Sequence, residues 1–261
     1  MVEKLNTPPY ISPIPRASKA DPAGPPPPPA ATRRPRVVPR PVPARPALAS
    51  TPAPASTSPA VATTVPTPQV NHFDLAVRYH SLGNFEQALT HYTAVLQAEE
   101  FNVEARNNLG LLYSERGLTG EAIEQFRRAI LINPEYLKAR SNLAVVLMNA
   151  GRLAEARAEL RAAMALEPRN VDLIVNMALV EKADRHPEQA REMLLRALGI
   201  QVTHAAAHYN LAVLYDEAGD VGQAYDHYTD FLKNAGPEYG ARLSDVRRRL
   251  DMIAPKLDAV R

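Results

Sequence analysis

The chain has 261 residues, a formal net charge of +2, 25 prolines and no cysteine. The missing cysteine excludes disulfides and thiolate metal centres, and no apolar run reaches the ~18 residues of a membrane span. The charge is uneven, because residues 1–68 hold 8 of the 30 Lys+Arg and 2 of the 28 Asp+Glu, so a basic head precedes an acidic body.

The opening MVEKLNTPPYISPIP lacks the apolar core of a secretory signal. A soluble, cytoplasmic protein is the expectation, or an envelope-associated one if an anchor lies upstream of this start. Residues 1–68 contain 20 of the prolines. Too few large apolar groups remain to offset ordering entropy, so a disordered tether is expected there. Two sharper readings compete with the tether. Arg40, Pro43 and Pro46 fit the R-x-x-P-x-x-P pattern that docks in aromatic grooves. Alternatively Arg33, Arg34, Arg36, Arg40 and Arg45 hold the head near an anionic lipid or nucleic-acid surface.

From residue 69 the pattern changes. In the stretch 103–136, Leu109, Leu112 and Tyr113 share one side of a helix. Gly117 stops that helix, since glycine takes the left-handed conformation cheaply. Ala122, Ile123, Phe126, Ala129 and Ile130 line a second helix, which Pro134 ends. Sliding the pattern by 34 residues matches Leu109 with Leu75, Leu143, Met177 and Leu211, and Ala122 with Ala88, Ala156, Ala190 and Ala224. Phe126 is matched by Tyr92, Leu160, Leu194 and Tyr228. Five gapless units follow: 69–102, 103–136, 137–170, 171–204 and 205–238. One helix pair cannot bury its apolar face, but stacked pairs can.

This spacing, with Leu109, Gly110, Tyr113, Gly117, Ala122, Phe126, Ala129 and Pro134, resembles the tetratricopeptide repeat. The resemblance implies an all-α, right-handed solenoid of helix-turn-helix units. It also implies an inner groove, lined by the first helix of each pair, that takes up peptides or partner proteins, and it implies no catalysis.

The fourth unit departs most, with Glu181, Arg185 and Val202 at positions usually aromatic or leucine, glycine and proline. Glu181 and Arg185 are four apart and are expected to pair on one helix face. Pro187 suits the first turn of the next helix. After Pro237, the stripe Leu243, Val246, Leu250 and Ile253 predicts a cap helix within 239–261, ended by Pro255. Arg242, Arg248 and Arg249 are expected on its wet face.

The predicted groove repeats one amide: Asn108, Asn142, Asn176 and Asn210, with Asp74 in the first unit. One turn on lie Val77, Leu111, Val145, Leu179 and Val213. An asparagine offers both an acceptor and donors, so a row of them can hold the backbone of an extended peptide. This is similar to the asparagine ladders of tetratricopeptide superhelices; satisfying local backbone or water is the competing use. The carboxylate clamp of chaperone-binding relatives is matched only by Asn108 and Lys138, with Phe73, Val77 and Asn142 at its other positions.

No phosphate loop, nucleophile elbow or metal-spaced cluster appears in the sequence. His204 and His208 are four apart but lack a third ligand, so no metal and no cofactor are expected. The expectation is therefore a non-catalytic protein-interaction scaffold holding a partner peptide or segment. The alternatives are an assembly factor of a bacterial envelope machine, such as a pilus or secretion system, and a nucleic-acid or membrane-surface binder acting through the head.

Overall fold

The computed structural model describes residues 71–258, apart from the side chains of residues 241 and 256–258. The proline-rich head, with its arginines and its R-x-x-P-x-x-P pattern, lies outside the described residues. Among the described residues there are helices and no strands. Five pairs follow in order: α1 (His72–Ser81) with α2 (Phe85–Ala98), α3 (Val103–Glu115) with α4 (Thr119–Ile132), α5 (Leu137–Asn149) with α6 (Leu153–Leu166), α7 (Val171–Ala183) with α8 (Pro187–Ile200), and α9 (Ala205–Ala218) with α10 (Val221–Asn234). A 3₁₀ turn (Pro237–Tyr239) leads into α11 (Gly240–Asp258). Each helix packs on its pair partner and on the next helix in the chain, and each first helix also touches the first helix of the following pair. The result is an α-solenoid.

The two helices of a pair bury different amounts because they sit in different places. α7 is buried continuously from Leu173 to Glu181, as expected of a helix flanked on several sides. α8 buries only the stripe Ala190, Leu194 and Ala197. Polar side chains start many of the helices. Asn71, Asn102 and Asn170 each accept a backbone N–H in the first turn of α1, α3 and α7, which satisfies one of the orphan donors there. The alanines that recur every 34 residues are buried: Ala88, Ala122, Ala156, Ala190 and Ala224 have no exposed surface.

Four of the turns inside pairs use a glycine in the left-handed region: Gly83, Gly117, Gly151 and Gly219, with φ between 71° and 81°. The fourth pair uses Arg185 at φ 62°. Its turn closes in the same way, since His186 N–H donates to the Glu181 carbonyl at 2.9 Å as Leu118 N–H donates to the Tyr113 carbonyl at 2.9 Å. A side chain in that region costs about 1–2 kcal/mol, and glycine's extra chain entropy offsets about half of that. Arg185→Gly is therefore expected to raise stability by about 0.5–1 kcal/mol in urea denaturation. An unchanged or lowered midpoint would contradict the strain.

Three local expectations need correction. Glu181 does not pair with Arg185. Its carboxylate accepts two bonds from Arg157 of α6, at 2.8 and 2.9 Å, and Arg157 also reaches Asp184 at 2.7 Å. The left-handed turn takes Arg185 off the helix face, and the guanidinium of the preceding pair fills the space. Pro255 does not end the last helix, which continues to Asp258. A proline so near a helix end forfeits one hydrogen bond, and both Asp251 and Pro255 are exposed. Finally, the arginines of α11 do not share one wet face. Arg248 is exposed and pairs with Asp245, and Arg242 lies 5.0 Å from the Tyr209 ring centroid. Arg249 is buried, with its Nε 2.6 Å from Asp216 Oδ2 and a second, short bond from Nη2 to Oδ1.

Candidate partner-binding face

In a helix, residues spaced by three and four share a face. The rows 104–108–111–115, 138–142–145–149, 172–176–179–183 and 206–210–213–217 therefore run along matching faces of α3, α5, α7 and α9. The middle of each row is largely sunk in the stack. Asn108, Asn142, Asn176 and Asn210 are at most 5 % exposed. Leu111, Val145 and Leu179 are buried, whereas Val77 and Val213 are half-buried. Apart from the buried Ala206, the ends of the rows meet solvent: Glu104, Lys138, Asp172, Glu115, Asn149 and Glu217 are exposed. Asp74 is exposed too, and its carboxylate accepts a bond from the Asn71 amide at 2.7 Å.

The buried amides have partners within the chain. Asn142 donates to Asn107 Oδ1 at 2.9 Å, and Asn107 donates to Asn108 Oδ1 at 3.2 Å. Asn176 donates to Ser141 Oγ at 3.0 Å. Asn210 donates to the Ala206 carbonyl of its own helix at 2.8 Å. The Asn176 Oδ1 atom is buried without a protein partner. These bonds belong to a polar seam that sequence reasoning missed. His80 meets Glu115 at 3.1 Å and Lys182 meets Glu217 at 3.0 Å. Like Asn107–Asn142 and Ser141–Asn176, those partners are 35 residues apart. Complementary residues one step beyond the repeat length were the signal available in the sequence.

Two tetratricopeptide repeat family models match the chain, one over residues 73–136 and 175–238 and the other over 115–176. Together they span every helix pair. The chain belongs to the tetratricopeptide repeat family. No curated protein matches it by sequence. Among solved structures it is similar to TTC0263, a thermophilic tetratricopeptide repeat protein of Thermus thermophilus, at 25 % identity and TM-score 0.59, over 70 % of this chain and 97 % of that one. It is also similar to PilW, described as a widely conserved type IV pilus biogenesis factor, at 21 % identity and TM-score 0.59, over 74 % and 94 %. PilF of Pseudomonas aeruginosa aligns at 20 % identity and TM-score 0.58, over 72 % and 90 %.

The tetratricopeptide frame accounts for other groups near the face. Tyr92 is buried beneath it, and burial with the nearby Glu115 charge raises its hydroxyl pKa. Tyr136 is half-buried, and partial burial with the nearby Glu104 charge pushes its hydroxyl up to about 12. Both hydroxyls stay protonated at neutral pH. Of the two residues matching the chaperone clamp, Lys138 is exposed and Asn108 is buried. His204 is not directed at His208. Its Nδ1 caps α9 by accepting the Ala207 N–H at 3.2 Å, and its Nε2 lies 3.2 Å from Asp172 of α7. No helix among the described residues is long and apolar enough to cross a membrane.

Proposed function

We propose that the chain is a non-catalytic scaffold that takes a partner protein's extended or helical segment along the face of its first helices. The observation that carries this reading is the contact of α1, α3, α5, α7 and α9 in sequence, which makes five short faces into one surface. A segment laid there meets the exposed row ends first. Those are mostly acidic, with Glu104, Glu115, Asp172 and Glu217 against Lys138, and this favours a segment that carries basic residues. The amides of Asn142 and Asn176 bind such a segment by exchanging the bonds they now make within the stack.

The experiment is a pull-down with the full chain, followed by affinity measurement on the partner recovered. Glu104→Lys with Glu115→Lys is expected to weaken binding by roughly tenfold at low salt and less at high salt. Asn142→Ala is expected to lower stability by about 1–2 kcal/mol as well, because it leaves Asn107 Oδ1 without its donor. Removing residues 1–68 should leave the partner bound. A partner lost with the head and indifferent to the face variants would replace this reading with a head-mediated one, in which the basic segment binds nucleic acid or a membrane surface. A narrower second reading is an assembly factor of a bacterial envelope machine. Likeness in fold to PilW supports it, and recovery of a pilus or secretion component in the pull-down is its test.

A further inference from the structure

The fifth helix pair carries a group of donor atoms that the proposed face does not use. His208 on α9 and His227 on α10 bring their Nδ1 atoms to 3.1 Å. Their rings are 5.3 Å apart and tilted by 40°. Asp230 sits one turn further along α10, and one donor atom from each of the three residues lies within 4.8 Å of the others. Around a tetrahedral metal with nitrogens at about 2.0–2.1 Å, neighbouring donors stand roughly 3.3 Å apart. The two imidazoles already have that spacing.

The supporting bonds orient the imidazoles in the same sense. His208 Nε2 lies 2.8 Å from the Val202 carbonyl oxygen, to which it donates. That bond keeps the proton on Nε2 and leaves the Nδ1 lone pair facing His227. Metal-binding histidines commonly hold their second nitrogen in this way. The His227 ring lies flat against Tyr215, 5.6 Å away with 6° between planes. The Lys233 ammonium donates to Asp230 Oδ1 at 2.8 Å, which leaves the other carboxylate oxygen as the donor atom for a metal. His208 is buried while His227 and Asp230 are half-buried, so the group opens to one side.

The chain contains its own comparison. Four repeat lengths earlier, His72 and His91 occupy the same two places, with Nδ1 atoms 2.9 Å apart. His91 stacks on Tyr79 as His227 stacks on Tyr215. The residue matching Asp230 there is Ala94, so the first pair has two imidazoles and no carboxylate. In the second and third pairs the same place is bridged by Arg106–Gln125 and Arg140–Glu159. The fourth pair has Ile174 and Met193. The other candidate group among the described residues, Glu181, Asp184 and His186, has both carboxylates bonded to the one Arg157 guanidinium, whereas Asp230 gives a single oxygen to the exposed Lys233.

We propose that His208, His227 and Asp230 form a binding site for a divalent transition metal of the zinc type. The fourth coordination position is open to water or to a donor from a partner. On binding, His227 presents its Nδ1 lone pair and carries its proton on Nε2. The metal joins α9 to α10 and makes the C-terminal end of the stack more stable when it is loaded.

The test uses the full chain without an affinity tag, titrated with cobalt(II) alone and then with zinc(II). One equivalent of cobalt is expected to give the visible absorption of a tetrahedral site, and zinc is expected to displace it. Zinc should also raise the midpoint of thermal unfolding. Asp230→Asn should weaken binding at least tenfold and His227→Gln should abolish it, while His91→Gln leaves both readouts unchanged. Circular dichroism of the metal-free variants checks that each folds; if His227→Gln does not, Asp230→Asn carries the decision. Absence of binding at about 0.1 mM metal would overturn the site. So would binding that survives Asp230→Asn unchanged, or that falls with His91→Gln.

Discussion

Replacing Phe126 with alanine is expected to destabilise the protein by about 3–5 kcal/mol. The ring has no exposed surface and fills the wedge between α3 and α4. Opposite it, a Cβ added to Gly110 would stand 2.7 Å from Phe126 Cε1 and 2.9 Å from Cδ1 and Cζ. In the second pair the ring takes the space a Cβ would fill, whereas the first and fifth pairs seat a buried tyrosine opposite alanine, Tyr92 with Ala76 and Tyr228 with Ala212. The third and fourth pairs solve the same problem with Ala144 against Leu160 and Ala178 against Leu194, all buried. Gly110→Ala alone should be destabilising, since overpacking of about 1–3 kcal/mol exceeds the ~1 kcal/mol that alanine gains in a helix. Phe126→Leu alone leaves a void. Together the two changes recreate the arrangement of the third and fourth pairs. The double variant is expected to be more stable than the sum of the single effects predicts, by about 1–2 kcal/mol. Urea unfolding of the four proteins measures that coupling, and strict additivity would show that the residues do not share one space.

Arg249→Ala is expected to cost about 3–5 kcal/mol, since it strands the other half of a buried ion pair. The Asp216 and Arg249 side chains are 12 % and 8 % exposed. Asp216 also accepts a bond from the Tyr228 hydroxyl at 3.3 Å, but a phenol is a neutral donor and cannot replace the lost cation. The effect should be local, because a solenoid couples each unit chiefly to its neighbours. Limited proteolysis is expected to cut α11 first, with the third pair still protected. Uniform loss of protection along the array would contradict this. Arg249→Met should recover little, since its apolar tip still faces an unpaired carboxylate.

The fold was readable because its signal is redundant. Leu109, Ala122 and Phe126 each have a counterpart every 34 residues, so periodicity outweighs any one departure. Arg185 shows the strength of that redundancy: it lacks glycine's freedom, yet its turn closes with the same bond as its neighbours. The partners of charged groups were not readable. Glu181 finds Arg157, 24 residues back on another helix, and Asp216 finds Arg249, 33 residues on. Spacing on a single helix could only suggest Arg185 for the first and water for the second. The face was readable as rows but not as depth. Hydrogen-bonding capacity identified Asn142 and Asn176 as useful, yet only packing reveals that Asn107 and Ser141 already engage them. The His208–His227–Asp230 group eluded spacing for a similar reason, since its first two members lie on different helices, 19 residues apart.

The bond from Arg157 to Glu181 has a bearing on how such an array can change length. Tandem units look exchangeable, and recombination can drop one without shifting the frame. Excising residues 137–170 would bring the aliphatic Ile123 to the place of Arg157 and leave the Glu181 carboxylate against a hydrocarbon wall. A descendant shortened at this point would first have to acquire a compensating change at either residue, so this one contact guards the junction between the third and fourth units.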